Sequence, residues 1–224
     1  MQNIITYIKK PKTLGLAILS HFGTWLPDSL YLKIMFRLKM GYKLNLKNPQ
    51  TFNEKLQWLK LYNRKPEYTL MVDKSEAKTI AENILGKGSA IPTLGVWNKF
   101  EDIDFNSLPD RFVLKTTNGG GGCGVIICRD KSKLNLVSAA EQLKSSLKAS
   151  IYRNLKEWPY KNVKPRILAE KFMVDESGEL RDYKFYCFNG EPKVFLVASE
   201  RFSRHRTYFD YFDMEGNHLP FTQG

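Results

Sequence analysis

Phe112-Val-Leu-Lys115-Thr-Thr-Asn118-Gly-Gly-Gly-Gly122-Cys-Gly124-Val125 sets a lysine at the end of an apolar run and places five glycines within the nine residues from Thr116 to Gly124. Glycine enlarges the freedom that the chain loses on folding, so a loop this rich in it needs a compensating use. Glycines let backbone N–H groups turn toward a phosphate at close range, and an adjacent ammonium supplies full positive charge. The stretch reads as a cradle for a polyphosphate. Phe112-Val-Leu and Val125-Ile-Ile-Cys128 both read as strands, so the loop joins strand to strand. That context separates it from other glycine loops. Gly119, Gly121 and Gly124 satisfy G-x-G-x-x-G, but a dinucleotide fingerprint requires a helix after the loop. A P-loop closes on Gly-Lys-Ser or Gly-Lys-Thr, and no such closure follows here. A protein kinase places its lysine after the loop and continues with H-R-D and D-F-G, and neither motif occurs.

Upstream, the punctuation is helical. Leu30, Ile34, Leu38 and Tyr31, Met35 recur at three- and four-residue steps, which predicts a helix from Ser29 to Met40 with Asp28 capping its start. Thr51-Phe-Asn-Glu54 has the form of a capping box opening a helix that runs to Tyr62. Ala77, Ile80, Ala81 and Ile84 form one stripe of a helix from Asp73 to Leu85, stopped by Gly86. Ile91-Pro-Thr-Leu-Gly-Val96 reads as a short strand, Ile167-Leu-Ala169 as another, and about Ala139 to Leu155 as helical. Tyr183 to Phe188 and Val194 to Val197 read as a hairpin through Asn189-Gly190, with Glu191-Pro192 lengthening the link beyond the ideal two residues. The pattern predicts an α+β fold, helices first and mostly antiparallel strands after.

With 42% hydrophobic and 26% charged residues in a chain of 224, the composition is that of a globular protein rather than a disordered one. Three cysteines, Cys123, Cys128 and Cys187, lack the paired spacing of a disulfide framework or zinc site, which points to a reducing, cytoplasmic compartment. Of the net charge of +12, residues 1–65 carry +10, from ten Lys and two Arg against Asp28 and Glu54. The basic character therefore belongs to the N-terminal segment, and no nucleic-acid partner is expected. The apolar run Leu14 to Leu26 is too short to span a bilayer and lacks the cleavage site of a signal peptide. Two readings stay open for it. It rests peripherally on an anionic membrane surface at the inner face of the cell membrane, or it packs as a helix on the main domain with its cations in water.

A lysine ending a strand, a glycine-rich hairpin and the upstream Asp73-Lys74-Ser75-Glu76-Ala77 element together resemble the ATP-grasp superfamily. The resemblance implies that Lys74 and Lys115 contact phosphate, with Asn118, Gly119, Gly120, Gly121, Gly122 and Gly124 around it. Taken alone, Lys74 reads as a solvated helix-start lysine. Ile167-Leu-Ala-Glu170-Lys171-Phe172-Met173 is similar to the family's hinge strand, whose backbone groups bind the adenine edge, with Glu170 or Lys171 placing the amino group. Lys184 joins the nucleotide contacts on the same resemblance, against the alternative of a structural Asp182–Lys184 pair on one strand face. Arg201, Arg204 and Arg206 are candidate catalytic residues, because guanidinium groups grip a transferred phosphate or an acidic substrate with paired hydrogen bonds.

A narrower resemblance runs through Asn48-Pro-Gln-Thr-Phe-Asn-Glu-Lys-Leu-Gln-Trp-Leu-Lys60, Ile91-Pro-Thr-Leu-Gly95, Phe112-Val-Leu-Lys115 and Asp182-Tyr-Lys-Phe-Tyr-Cys-Phe-Asn-Gly190. These blocks, in this order, resemble the TupA-like ATP-grasp proteins of bacterial surface-polymer biosynthesis. The resemblance implies ATP-dependent carboxylate–amine ligation through an acyl phosphate, with ATP and Mg2+ as cofactors and an acidic polysaccharide or its precursor as partner. Relatives lie among capsule, teichuronopeptide and polysaccharide genes, and many are labelled glycosyltransferases. Such proteins continue past an element like Leu219-Pro-Phe221 into acidic strands that hold Mg2+. An ATP-grasp fold truncated at its C-terminus is thus expected, with the Mg2+ ligands beyond Gly224, activity depending on them, and Asp210 and Asp213 as turn residues. The expected organisation is a basic helical segment over 1–65, the first part of the ATP-grasp region over 66–110, and its nucleotide-binding subdomains over 111–224. Two alternatives stand beside it. Asp102-Ile-Asp104 matches the D-x-D of a glycosyltransferase, as a chance match in a connector, and the basic N-terminus suits a non-catalytic module for acidic glycans or membranes.

Overall fold

The computed structural model describes residues 11–120, 122–176, 178, 180–200 and 207–222. They fall into two compact units, Met1–Phe172 and Met173–Gly224. Among the described residues, the first opens with five helices, α1 (Pro11–Phe22), α2 (Asp28–Met40), α3 (Phe52–Tyr62), α4 (Glu67–Val72) and α5 (Glu76–Leu85). Strands β1 (Thr93–Trp97), β2 (Phe112–Thr116) and β3 (Val125–Cys128) follow, then α6 (Leu136–Lys148), α7 (Ile151–Leu155) and β4 (Ile167–Lys171). The sheet has the order β1-β4-β2-β3, and every neighbouring pair is antiparallel. Alternation in β2 sends Phe112, Leu114 and Thr116 into the core and Val113 and Lys115 to the other face. Phe112 and Leu114 pack there with Ile167, Ala169 and Leu143 of α6.

The helical boundaries refine the sequence reading. α6 starts at Leu136, earlier than expected, because the Asn135 side chain accepts from the Ser138 N–H and caps it. The stretch to Leu155 is broken into α6 and α7, with Ser150 capping α7. The helix expected from Asp73 starts at Glu76, because the Asp73 carboxylate accepts from the N–H groups of Ser75 and Glu76 and lies outside it. The short α4 was not foreseen, its six residues being too few to show a period. The capping box is formed as expected, with Glu54 also accepting from the N–H groups of Asn45 and Gln50.

Asp28 is not the cap expected at α2. The cap position is Pro27, and Asp28 is already the first residue of the helix. Instead it accepts from the Arg64 guanidinium at 2.7 Å and the Tyr152 hydroxyl at 2.9 Å, and lies 3.5 Å from Lys156 Nζ. Lys156 is only 2% exposed, sits in the left-handed region at φ 54°, and donates to the Thr24 carbonyl. Burial alone would raise the Asp28 carboxyl, but hydrogen bonds from Tyr152 and Arg64 and the charges of Lys156 and Arg64 outweigh it and hold the group below its ordinary value. Asp28→Asn is therefore expected to cost about 2 kcal/mol, or ~5 °C in melting temperature. A carboxyl depressed in the folded state contributes its stability in full above the ordinary carboxylate range and loses it as pH falls from that range through the lowered folded-state value. Thermal unfolding from neutral to acid pH is expected to show a shallower acid limb in Asp28→Asn than in the parent.

The second unit is an antiparallel meander of β5 (Asp182–Phe188), β6 (Glu191–Ser199), β7 (Tyr208–Phe212) and β8 (His218–Thr222). Its first turn is tighter than expected. Only Asn189 and Gly190 bridge the strands, at φ 52° and 83°, while Glu191 and Pro192 belong to β6 and a bulge at Tyr186/Cys187 absorbs the offset. Asp213 lies in a turn as expected, accepting from the N–H groups of Glu215 and Asn217. Asp210 does not: it is a β7 residue facing His218 across the hairpin.

Candidate functional site

The glycine loop closes the β2–β3 hairpin, in which Lys115 is opposite Val125. Thr116 N–H donates to the Gly124 carbonyl, Gly119 N–H to the Thr116 carbonyl and Val125 N–H to the Gly122 carbonyl. Helix α6 holds the loop from behind, as Gln142 Nε2 donates to the carbonyls of Cys123 and Val125. The Thr116 and Ser146 hydroxyls bond each other at 2.8 Å directly beneath it. A Cβ on Gly124 would overlap both of those oxygens, and one on Gly119 would lie 2.5 Å from Thr116 Oγ1. Gly122 is required for a different reason, its φ of 81°. The loop encloses a cavity of about 80 Å³, walled by Lys74, Thr116 and Gly119, Gly120, Gly122 and Gly124.

Lys74 reaches this cavity because the start of α5 is pinned to the entry of β4. Arg166 Nη2 donates to Asp73 at 3.0 Å and to Glu76 at 2.7 Å, and the Lys74 N–H donates to the Thr117 carbonyl. The Lys74 ammonium then donates to the Gly119 carbonyl. Burial, then the nearby charge of Lys115, lowers its affinity for a proton, and Asp73 and Glu170 only partly compensate. An ammonium so placed gains from any anion that enters.

Lys115 is on the opposite face of β2 from the core, where the register brings it diagonally to Glu170 of β4. Their charged atoms meet at 2.5 Å. Lys78 of α5 approaches Glu170 from the other side at 2.8 Å and also donates to the Ile91 carbonyl. Glu170 is thus a nearly buried carboxylate between two ammonium groups. Burial opposes its charge, yet the hydrogen bonds and charges of Lys115 and Lys78 outweigh this and keep its carboxyl below the ordinary glutamate value. Lys78, Arg166 and Ser146 are the members of this site that the sequence reading missed. Only Lys78 left a trace, lying one helical turn beyond Lys74.

Asn118 is buried, and its amide donates to the carbonyls of Ser146, Leu147 and Ala149 at the end of α6, leaving Oδ1 without a partner among the described residues. Lys171 ends β4 and donates its N–H to the Pro92 carbonyl, while the Phe172 ring stacks under the Arg111 guanidinium at 4.1 Å. Met173 and Lys184 belong to the second unit, with Lys184 on the exposed strand β5. Gly121, Arg201, Arg204 and Arg206 lie outside the described residues. Asp104 of the D-x-D match accepts from the Asn106 N–H and shapes its own exposed turn.

The family model described as TupA-like ATPgrasp matches residues 54–224. No curated protein and no solved structure matches the chain. The matched span holds Lys74, Lys78, Lys115, the glycine loop and Glu170, and begins inside α3. On that match, over most of its length, the chain belongs to the TupA-like ATP-grasp family.

Proposed function

We propose that the protein binds ATP at the glycine loop and uses it to join a carboxylate to an amine during assembly of a bacterial surface polysaccharide, acting on cytoplasmic precursors. The observation that carries this reading is the meeting of Lys74 and the loop glycines around one small cavity, with Lys115 at the adjoining strand end, in an ATP-grasp chain. Lys74 and the N–H groups of the loop hold the phosphates, and Lys115 exchanges part of its pairing with Glu170 for a phosphate oxygen. Residues 170–173 take the adenine edge, and Lys184 with Arg201, Arg204 and Arg206 serve the transferred phosphoryl group and an acidic substrate. A carboxylate oxygen attacks the γ-phosphorus, ADP leaves and an acyl phosphate forms. The amine nitrogen then attacks the acyl carbon, and inorganic phosphate leaves with the bonding pair.

ATP-grasp enzymes generally use Mg2+ with ATP. Among the described residues no carboxylate set fits the ion: Glu170 is held by two lysines, Asp213 by its own turn, and Asp210 faces His218.

The test is a hydroxylamine trap. With ATP, Mg2+ and glucuronate as the carboxylate probe, hydroxamate and ADP are expected in equal amounts, and neither in Lys115→Met. Hydrolysis of a nucleotide sugar that Asp104→Ala abolishes, without ADP formation from ATP, would replace ligation by glycosyl transfer.

A further inference from the structure

The family match begins inside α3, so α1 and α2 are not accounted for by the nucleotide site. Helix α1 buries Leu19 against Tyr31, Leu32 and Met35 of α2. Its outer side carries Leu14, Ile18 and Phe22 at four-residue steps, with Ile18 52% and Phe22 65% exposed, and the Trp25 indole just beyond is 80% exposed. Between the two helices lies an open groove of about 360 Å³ lined almost wholly by apolar side chains, including Ile18, Phe22, Trp25 and Ile34. Contiguous apolar surface of this kind in a soluble unit marks a place of contact.

Charge decides what covers it. Before residue 54 the sequence holds one acid, Asp28, and that carboxylate is taken up by Arg64, Tyr152 and Lys156. Lys12, Lys33, Arg37, Lys39, Lys43 and Lys47 are exposed and form no ion pair among the described residues. Lys33 and Arg37 are three and seven residues from the exposed Leu30 and so share its face of α2. An apolar ridge ending in a tryptophan and flanked by cations without a neighbouring acid complements a continuous anionic sheet with an apolar interior. A folded acidic protein would match such cations one by one and would leave the indole without a polar–apolar boundary to occupy. No helix among the described residues is long and apolar enough to cross a membrane, so the contact is with the surface of the bilayer.

We propose that the α1–α2 hairpin docks on an anionic phospholipid surface, Ile18, Phe22 and Trp25 entering the headgroup–acyl boundary while Lys33 and Arg37 lie over the phosphates. The docking is independent of the nucleotide reading. The full chain is expected to float with vesicles containing phosphatidylglycerol, to stay behind with phosphatidylcholine alone, and to be released by high salt. Phe22→Ser/Trp25→Ser replaces exposed side chains, so circular dichroism and melting temperature should match the parent while vesicle affinity falls at least about tenfold. Lys33→Glu/Arg37→Glu is expected to cost at least about 25-fold, since each of the two cations near the surface strengthens binding about fivefold. Equal flotation with neutral vesicles, no flotation with anionic ones, or an unchanged Phe22→Ser/Trp25→Ser variant overturns the proposal. So does a concentration-dependent dimer in the absence of lipid that this double variant abolishes, which would give the face to a second copy of the chain.

Discussion

Lys115→Met is expected to weaken ATP binding about 30- to 100-fold while leaving the melting temperature within a degree or two of the parent. The first half follows from what a phosphate loses: a charge-assisted hydrogen bond from an ammonium contributes about 1.5–3 kcal/mol, and each 1.4 kcal/mol is a factor of ten. The second half follows from Lys78. Removing Lys115 does not strand Glu170, because the Lys78 ammonium remains 2.8 Å from the same carboxylate. The Lys115 side chain is also about a quarter exposed, so its loss opens no closed cavity. Titration calorimetry with ATP and Mg2+, paired with thermal unfolding, separates the two effects. Equal affinity in parent and variant would remove Lys115 from the nucleotide site, and a large fall in stability would make Lys115 a structural member of the Glu170 pair instead.

Gly124→Ala is expected to be the most damaging single-methyl change among the described glycines of the loop. The added carbon would occupy the space of the Thr116 and Ser146 oxygens. Neither can yield without losing the hydrogen bond that joins β2 to α6. Forcing a methyl into such a place costs about 1–3 kcal/mol, and here the displacement also opens the cavity that Lys74 closes. Loss of stability and loss of ATP affinity, more than about tenfold, should therefore appear together. Neighbouring glycines serve as internal standards. At Gly120 the nearest atom is the flexible end of Ile151, 3.0 Å from the added carbon, so Gly120→Ala should be mild. At Gly122 there is open space but a φ of 81°, so Gly122→Ala should cost only the left-handed strain of about 1–2 kcal/mol. A Gly124→Ala variant no worse than Gly120→Ala would mean that the loop moves freely over α6.

The meaning of these experiments depends on how the loop is supported, which is a matter of long-range structure. The glycines and Lys115 stand next to each other in sequence, and their strand–loop–strand setting is written in a period of two residues on either side of a glycine run. The capping box at Thr51 and the Asn189-Gly190 turn were legible for the same reason, since each is complete within a few residues. The α+β class and the antiparallel strands followed from that local punctuation. Membership of the TupA-like ATP-grasp family also rested on short blocks quoted in order, and the match over residues 54–224 agrees with it.

What sequence could not reach is the set of partners that local pattern does not encode. Asp28 looked like a cap because its neighbours form a helix, but its partner Tyr152 is 124 residues away and outcompetes the helix end. Glu170 was expected from its place in the hinge-like strand to position an adenine amino group, and only the β2–β4 register and the approach of α5 reveal a carboxylate held by Lys115 and Lys78. Gly124 looked like one glycine among five, and only the packing of α6 distinguishes it from Gly120. Backbone preferences act over a turn or two of chain and are therefore printed in the order of residues. Register and helix packing are decided by burial summed over the whole unit, so the identity of each charge's partner emerges only when the chain is folded.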